Sequence, residues 1–364
     1  MDAPEGDAAV NEIGYAATKE AAIAEIEGRI GQEHEFKGVD EVSINDIRRK
    51  LEVYCFDCPL HYDDRVARAH GYRGVVAPVA LTPLWGMQAY WSPGQPVAFI
   101  PGARENPGGM KVELPSKFPK GLNVGTQWEY FEPLYPGDRL GGTWRLIEVK
   151  PRETRLGDGV FLTYETNVYK QSGELVAKNS NTSFSYFPHP AEGKGGKGGG
   201  RGGPKGDGPT TEGMTVTPAD SRDWSRPLKF ADVAVGDKVP PFTMWLSYQR
   251  IVMSVAVDRM WSGIHHNRER AREGGLADII FNTRSYEMMF EVMMRRWIGL
   301  GGRIRALGPF RMGGSTYPED VISASATVLE MSKTDAENRV KLELVTINNR
   351  GEAARGEAHV ALPD

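Results

Sequence analysis

Residues 60–76 read L-H-Y-D-D-R-V-A-R-A-H-G-Y-R-G-V-V, and residues 264–280 read I-H-H-N-R-E-R-A-R-E-G-G-L-A-D-I-I. The two stretches align without a gap at a constant offset of 204 positions, and His61 aligns with His265. Two shorter similarities follow in the same order: Y-P-G-D at 135–138 with Y-P-E-D at 317–320, and G-E-L-V-A at 173–177 with G-E-A-A-R at 351–355. Co-linear matches of this kind indicate that the chain contains a duplicated unit.

A glycine-rich segment separates the two copies. Residues 191–213 are nearly free of apolar side chains, so they cannot bury a core, and this composition is typical of a flexible linker. At 364 residues the chain is long enough for two domains. We therefore predict an N-terminal domain over 1–190, a linker over 191–213 and a C-terminal domain over 214–364.

Composition narrows the class of protein. The hydrophobic fraction of 40% and the charged fraction of 25% are those of a soluble globular protein. A net charge of −4 argues against nucleic-acid binding. No apolar run approaches the ~18 residues that a membrane helix needs, and the acidic N-terminus does not have the pattern of a signal peptide. We expect a cytoplasmic protein that binds neither nucleic acid nor membrane.

Each half shows the same order of predicted elements. A short helix, at 45–53 and at 249–257, precedes the histidine-bearing loop, and an apolar segment and a long helix follow. The second long helix, 284–299, is apolar nearly all round, which is typical of a buried helix. Alternating segments such as 161–169 and 340–347 indicate antiparallel hairpins. The pattern predicts an α+β fold in which each half wraps an antiparallel sheet around a long central helix.

Two segments carry a resemblance to a known family. The stretch at 264–280 is similar to the I-H-x-D-x-x-x-A-R-x-x-G-L-x-D-x-I segment of the MaoC-like hydratases and dehydratases. P-L-H-Y-D-D-R-V-A-R-A-H-G-Y-R-G-V-V-A-P at 59–78 resembles the N-terminal half of fused members of that family. The resemblance implies a double hotdog fold. It also implies reversible addition of water at the 2,3-position of an acyl-CoA thioester. No metal or redox cofactor is expected, because α-proton removal and water addition need neither, and the coenzyme A is part of the substrate.

That chemistry requires a base, an acid and a group that stabilises an enolate oxygen. The resemblance makes His265 the leading acid/base residue and Asn267 a positioning residue. Asn282 and Thr283 stand where the long helix begins, and backbone N–H groups at a helix N-terminus suit an oxyanion. Trp261 lies in W-S-G-I-H, which is similar to the loop of relatives acting on branched dicarboxylic acyl-CoAs, so we expect it to contact substrate.

One departure from the family pattern concerns the second catalytic group. The usual loop is G-D-x-N-P-x-H, with a carboxylate five residues before the histidine, and Met260 stands there in the second half. Asp258 precedes His265 by seven residues and is our predicted carboxylate partner. In the first half Asp57 precedes His61 by four residues, so these two define a secondary candidate site.

We expect the second half to perform the chemistry. The apolar segment of the first half ends in Ala77-Pro78, and proline has no N–H to donate to an oxyanion. In related fused proteins such a degenerate half shelters the tail of the substrate. The stretch 79–134 is also longer than its counterpart 283–316, and it is rich in turn-forming and aromatic residues. It is predicted to form a pocket wall for a bulky, branched or aromatic acyl group.

The assembly is predicted at two levels. The two halves are expected to pair edge to edge as an internal pseudo-dimer. Whole chains are expected to form a homodimer, or a heteromer with another hotdog subunit.

Three alternatives remain open at this level. Cys55, Cys58 and His61 form C-x-x-C-x-x-H, a spacing that can bind zinc, although no metal is part of the leading interpretation. The missing aspartate also fits a non-catalytic acyl-CoA-binding subunit of a heteromeric hydratase. A hotdog thioesterase is the third.

Overall fold

The computed structural model describes residues 20–98, 118, 120–189, 209–334 and 336–364. The predicted linker over 191–213 lies largely outside these residues, and the division into domains 1–190 and 214–364 stays a prediction. The described part is α+β, with helices packed against a large antiparallel sheet.

The first half contains three α-helices, two 3-10 helices and five strands among its described residues. In chain order they are α1 (20–27), β1 (Glu33–Glu41), α2 (Ile44–Tyr54), a 3-10 helix (Pro59–His61), α3 (Asp64–Ala69), a second 3-10 helix (Val79–Gly86), β2 (Lys120–Tyr130), β3 (Arg139–Thr154), β4 (Gly157–Lys170) and β5 (Leu175–Pro188).

The second half repeats this order with its own long helix. Its described elements are a 3-10 helix (Phe230–Asp232), β6 (Lys238–Trp245), α4 (Tyr248–Asp258), a 3-10 helix (Gly263–His265), α5 (Arg268–Glu273), α6 (Thr283–Ile298), β7 (Arg303–Leu307), β8 (Arg311–Met312), β9 (Val321–Lys333), β10 (Asn338–Asn348) and β11 (Gly351–Leu362).

The strands of both halves form one sheet. Its order is β1-β3-β4-β5-β2-β7-β11-β10-β9-β6, and β8 pairs with β11. The two halves meet where β2 pairs antiparallel with β7, with Trp128 opposite Leu307 and Glu129 opposite Ala306. The predicted edge-to-edge pairing of the halves is therefore confirmed.

Helix α6 lies in the centre of the core. Met288, Met289 and Phe290 are fully buried on it, as expected for a helix that is apolar nearly all round. Glu287, Glu291 and Arg295 share this burial, at one-turn spacing. Buried charges are costly unless they are paired, so these three side chains are expected to have specific polar partners.

The prediction of a long central helix in each half is wrong for the described part of the first half. The segment that aligns with the start of α6 forms only the 3-10 helix Val79–Gly86. Pro78 precedes this helix and Pro83 lies inside it. Proline lacks the N–H that an α-helix bonds to the preceding turn, and its ring clashes with that turn. The first half therefore packs α6 of the second half against a shorter segment of its own.

Candidate active site

The repeat is preserved in the geometry of the two histidine loops. Helices α2 and α4 both end at a residue in the left-handed region, Cys55 with φ 48° and Arg259 with φ 52°. A 3-10 turn then ends at His61 in one loop and at His265 in the other. The duplication inferred from sequence is therefore also a duplication of structure.

Both imidazoles are held by a backbone carbonyl at matching positions. Nδ1 of His61 donates to the Val76 carbonyl at 2.7 Å, and Nδ1 of His265 donates to the Ile280 carbonyl at 2.9 Å. A carbonyl can only accept, so the proton sits on Nδ1 and Nε2 keeps its lone pair. Each ring is thus oriented as a neutral base.

Burial keeps both rings neutral. Desolvation lowers the pKa of His61 to about 3 and also lowers the pKa of His265, against the raising effect of each carbonyl bond. His61 is 2% exposed and His265 is 8% exposed. An extreme shift makes a weak base, so a group with a pKa of about 3 is poorly matched to proton abstraction near neutral pH.

Asn267 acts on the loop rather than on the imidazole. Its Oδ1 accepts from the backbone N–H of Arg270 at 3.0 Å and so caps α5. Asp63, its counterpart, accepts from the N–H of Val66 at 3.1 Å and caps α3. Either side chain fixes the helix that follows its histidine, and the positioning role of Asn267 in a reaction stays a prediction.

Asn282 and Thr283 lie at the N-terminus of α6, two residues after the carbonyl that holds His265. Asn282 Oδ1 accepts from the N–H of Ser285 at 2.8 Å, while its Nδ2 is buried without a hydrogen-bond partner among the described residues. Within this same part of the chain no protein oxygen accepts from the backbone N–H of Thr283 or Arg284. Three donors at this helix start therefore have no protein acceptor among the described residues.

The structure places Asp258 in an ion pair. Its Oδ1 accepts from Lys50 Nζ at 2.5 Å, and the two side chains are 3% and 1% exposed. No hydrogen bond joins Asp258 to His265 in the described structure. Its backbone carbonyl accepts from Arg284 Nη1 at 3.1 Å. The geometry thus ties this carboxylate to the contact between α2 and α4.

The other two predicted residues also have structural partners. Trp261 packs edge-on against His266, and its carbonyl accepts from His266 Nε2 at 3.1 Å. Asp57 lies 3.3 Å from Arg296 Nη1, an ion pair that ties the first loop to α6. Neither makes a described hydrogen bond to the catalytic candidates His265 or His61.

A cavity of about 330 Å³ borders His61. Besides the histidine, its wall includes Tyr130 and Thr82 from the first half and Glu291 and Arg295 from α6. Sequence reasoning missed the last two. The signal was present in the sequence, because Glu291 and Arg295 are charged residues one turn apart on a helix that is apolar on nearly all sides.

Neither a membrane span nor a metal cluster emerges from the described residues. None of their helices is long and apolar enough to cross a membrane. No group of three or more His, Cys, Asp and Glu side chains is arranged there to hold a metal ion. Cys55 is exposed whereas Cys58 is buried, and burial raises the pKa of the Cys58 thiol to about 12. A protonated thiol is a poor metal ligand.

Comparison with known proteins identifies a matching family model and a related curated protein. Residues 29–179 match the family described as FAS1-like, dehydratase domain region. A protein of Thermomonospora curvata named probable enoyl-CoA hydratase alpha subunit is 29% identical over 162 residues, which is 43% of this chain and 48% of the relative. The match thus spans about half the length of that relative.

Solved structures extend the likeness over nearly the whole chain. A MaoC-like dehydratase superposes with a TM-score of 0.67 at 19% identity, covering 93% of this chain and 99% of its own. At this level of identity the likeness shows a shared fold. A Mycobacterium tuberculosis protein described as having a double hotdog fold superposes with a TM-score of 0.56 at 10% identity, covering 91% of this chain and 97% of its own. The predicted double hotdog fold is confirmed.

Proposed function

We propose that the protein catalyses the reversible dehydration of a 3-hydroxyacyl-CoA to a 2-enoyl-CoA. The observation that supports this most directly is the start of α6. There the unpaired Nδ2 of Asn282 and the N–H groups of Thr283 and Arg284 lie close in sequence to the carbonyl that holds His265. Donors at a helix N-terminus stabilise the negative oxygen of a thioester enolate.

The proton transfers in this proposal use one imidazole. Nε2 of His265 takes the proton from C2 of the 3-hydroxyacyl thioester, and the electron pair moves onto the thioester oxygen as the enolate forms. The imidazolium then gives this proton to the hydroxyl on C3. As the enolate collapses, the thioester carbonyl re-forms, the C2=C3 double bond forms, the C3–O bond breaks, and water leaves. A single imidazole can serve both proton transfers when the C2 hydrogen and the C3 hydroxyl leave from the same face of the substrate. The Lys50-bound Asp258 is then not required. No redox group is required either, because the oxidation state of the substrate as a whole does not change, and no metal is required because the donors at α6 stabilise the enolate.

The acyl group is proposed to be bulky, branched or aromatic. The support is the long insertion of the first half, 79–134, which is rich in turns and in aromatic residues. The cavity lined by the two ends of that insertion borders His61 rather than His265. Part of that insertion, 99–117, lies outside the described residues. Homodimer formation, or assembly with another hotdog subunit, stays a prediction.

The test is a hydration assay that follows loss of the enoyl-thioester absorbance over short, branched and aromatic enoyl-CoAs. His265→Ala is expected to lower kcat/KM by about 10²- to 10⁴-fold, the usual contribution of an acid/base residue. His61→Ala, its counterpart in the repeat, is the matched control and is expected to stay within a few-fold of wild type. The opposite ranking would move the chemistry to the first half.

One observation favours a second candidate. Because Asp258 is bound to Lys50, the described second-half site lacks a carboxylate hydrogen-bonded to the histidine. A non-catalytic subunit that binds acyl-CoA for a partner would have no need of one. Binding of enoyl-CoA without turnover, across all the substrates above, would support this candidate and contradict the first.

A further inference from the structure

Glu291 brings a carboxylate from the second half to the first half's helix start. Its Oε1 accepts from the backbone N–H of Val79 at 2.9 Å, and its Oε2 accepts from the N–H of Ala80 at 2.8 Å. Glu291 is 1% exposed. A carboxylate buried this deeply is stabilised by those two donors, although burial still raises the pKa of its carboxyl.

These two N–H groups are the repeat counterparts of the pair at α6. Val79 aligns with Thr283 and Ala80 with Arg284 at the same offset of 204 positions. In the second half the N-terminus is capped by its own Asn282, and its first N–H groups have no acceptor among the described residues. Pro78 replaces that asparagine in the first half and provides no side-chain cap. The duplicated oxyanion position is thus open in one half and filled by Glu291 in the other.

Three polar atoms around the cavity that Glu291 borders lack hydrogen-bond partners among the described residues. Nε2 of His61, the hydroxyl of Tyr130 and Nε of Arg295 are buried without a hydrogen bond in the described structure. All three side chains line the cavity that Glu291 also borders, and each is at most 6% exposed. Unpaired buried polar groups are uncommon and costly in proteins. Three of them on one cavity indicate a site for a polar ligand rather than a packing defect.

We propose that the first half retains a second thioester-binding site whose oxyanion position is occupied by the Glu291 carboxylate. This inference rests on the proposed function. An enolate oxygen and a carboxylate cannot share the same two N–H groups, and their like charges repel at short range. A single chain therefore binds one enolate-forming thioester, at α6. Removing the carboxylate frees Val79 and Ala80 and creates a second site beside His61.

The probe is acetoacetyl-CoA, which ionises to an enolate but has no 3-hydroxyl to eliminate. Its stoichiometry is measured by calorimetric titration, with the enolate absorbance as a second readout, on wild type, Glu291→Ala and Glu287→Ala. Glu287 is the matched control, since it is a buried glutamate one turn earlier on α6 that makes no described bond to Val79 or Ala80. Near-ultraviolet circular dichroism verifies the fold of each variant.

We expect one equivalent for wild type and for Glu287→Ala, and two for Glu291→Ala. In Glu291→Ala/His61→Ala the second equivalent should bind at least tenfold more weakly. Two equivalents on wild type would overturn the inference without any variant, and so would a folded Glu291→Ala that binds no more equivalents than wild type. If wild type binds none and Glu291→Ala binds one, the proposed function fails at α6 while the blocked site stands.

Discussion

The buried ion pair between Lys50 and Asp258 gives the sharpest test of how this site is built. The two residues come from α2 and α4, and their charged atoms lie 2.5 Å apart. Their side chains are 1% and 3% exposed, so neither charge can be solvated by water if its partner is lost. Breaking such a pair on one side costs about 3–5 kcal/mol, whereas replacing both partners with apolar residues is often neutral or stabilising.

The variants are Lys50→Met, Asp258→Leu and the double substitution. Each single change should lower the free energy of unfolding by about 3–5 kcal/mol, and the double change should recover most of that loss. Urea unfolding followed by tryptophan fluorescence measures all three against wild type. Single variants that lose less than about 1 kcal/mol, the range of an exposed ion pair, would refute the reasoning from burial.

The same double variant also decides whether Asp258 has a catalytic role. If Asp258 serves only the contact between the halves, the folded double variant keeps hydratase activity within about tenfold. If it is the carboxylate partner of His265 that the sequence predicts, the variant folds but loses about 10²- to 10⁴-fold in kcat. Stability and turnover therefore separate a structural from a catalytic carboxylate.

Two further predictions follow from the ends and the charges of α6. Asn282→Ala should lower stability by about 1 kcal/mol because a helix cap is lost, and should lower kcat by about 10²- to 10³-fold because an oxyanion donor is lost. The control Ser247→Ala removes the cap of α4 and should lower stability without lowering kcat. Equal kcat values for the two variants would contradict the donor role of Asn282. Burial raises the pKa of Glu287 from 4.5 to about 7. A raised pKa means that the folded state binds the proton of Glu287 more tightly than the unfolded state does. The stability gained from this tighter proton binding is full below pH 4.5 and is lost as the pH rises through about 7. The unfolding free energy of wild type should therefore fall relative to Glu287→Gln by roughly 3 kcal/mol between pH 4.5 and 8, and parallel pH profiles would contradict it.

Much of the local structure was predictable because it depends on hydrogen bonds between near neighbours in sequence. The Y-P-G-D and Y-P-E-D turns illustrate this, since Asp138 accepts from the N–H of Tyr135 at 2.9 Å and Asp320 from the N–H of Tyr317 at 2.7 Å. The α5 cap at Asn267 and the α6 cap at Asn282 follow the same rule. Partners three residues apart meet whatever surrounds them, so the residue types alone reveal the arrangement.

The sequence by itself determined the duplicated unit, the two histidine loops, the buried helix α6 and the double hotdog fold. Only the tertiary structure decided which partners the buried charged side chains bind. Lys50 meets Asp258 across 208 residues, and Glu291 meets Ala80 across 211 residues. Pairing over such separations depends on how α2, α4, α6 and the Val79–Gly86 turn pack against one another, and periodicity carries no information about that. The physical reason is that a buried charge is stable only beside its partner, and the position of that partner is set by packing between the halves.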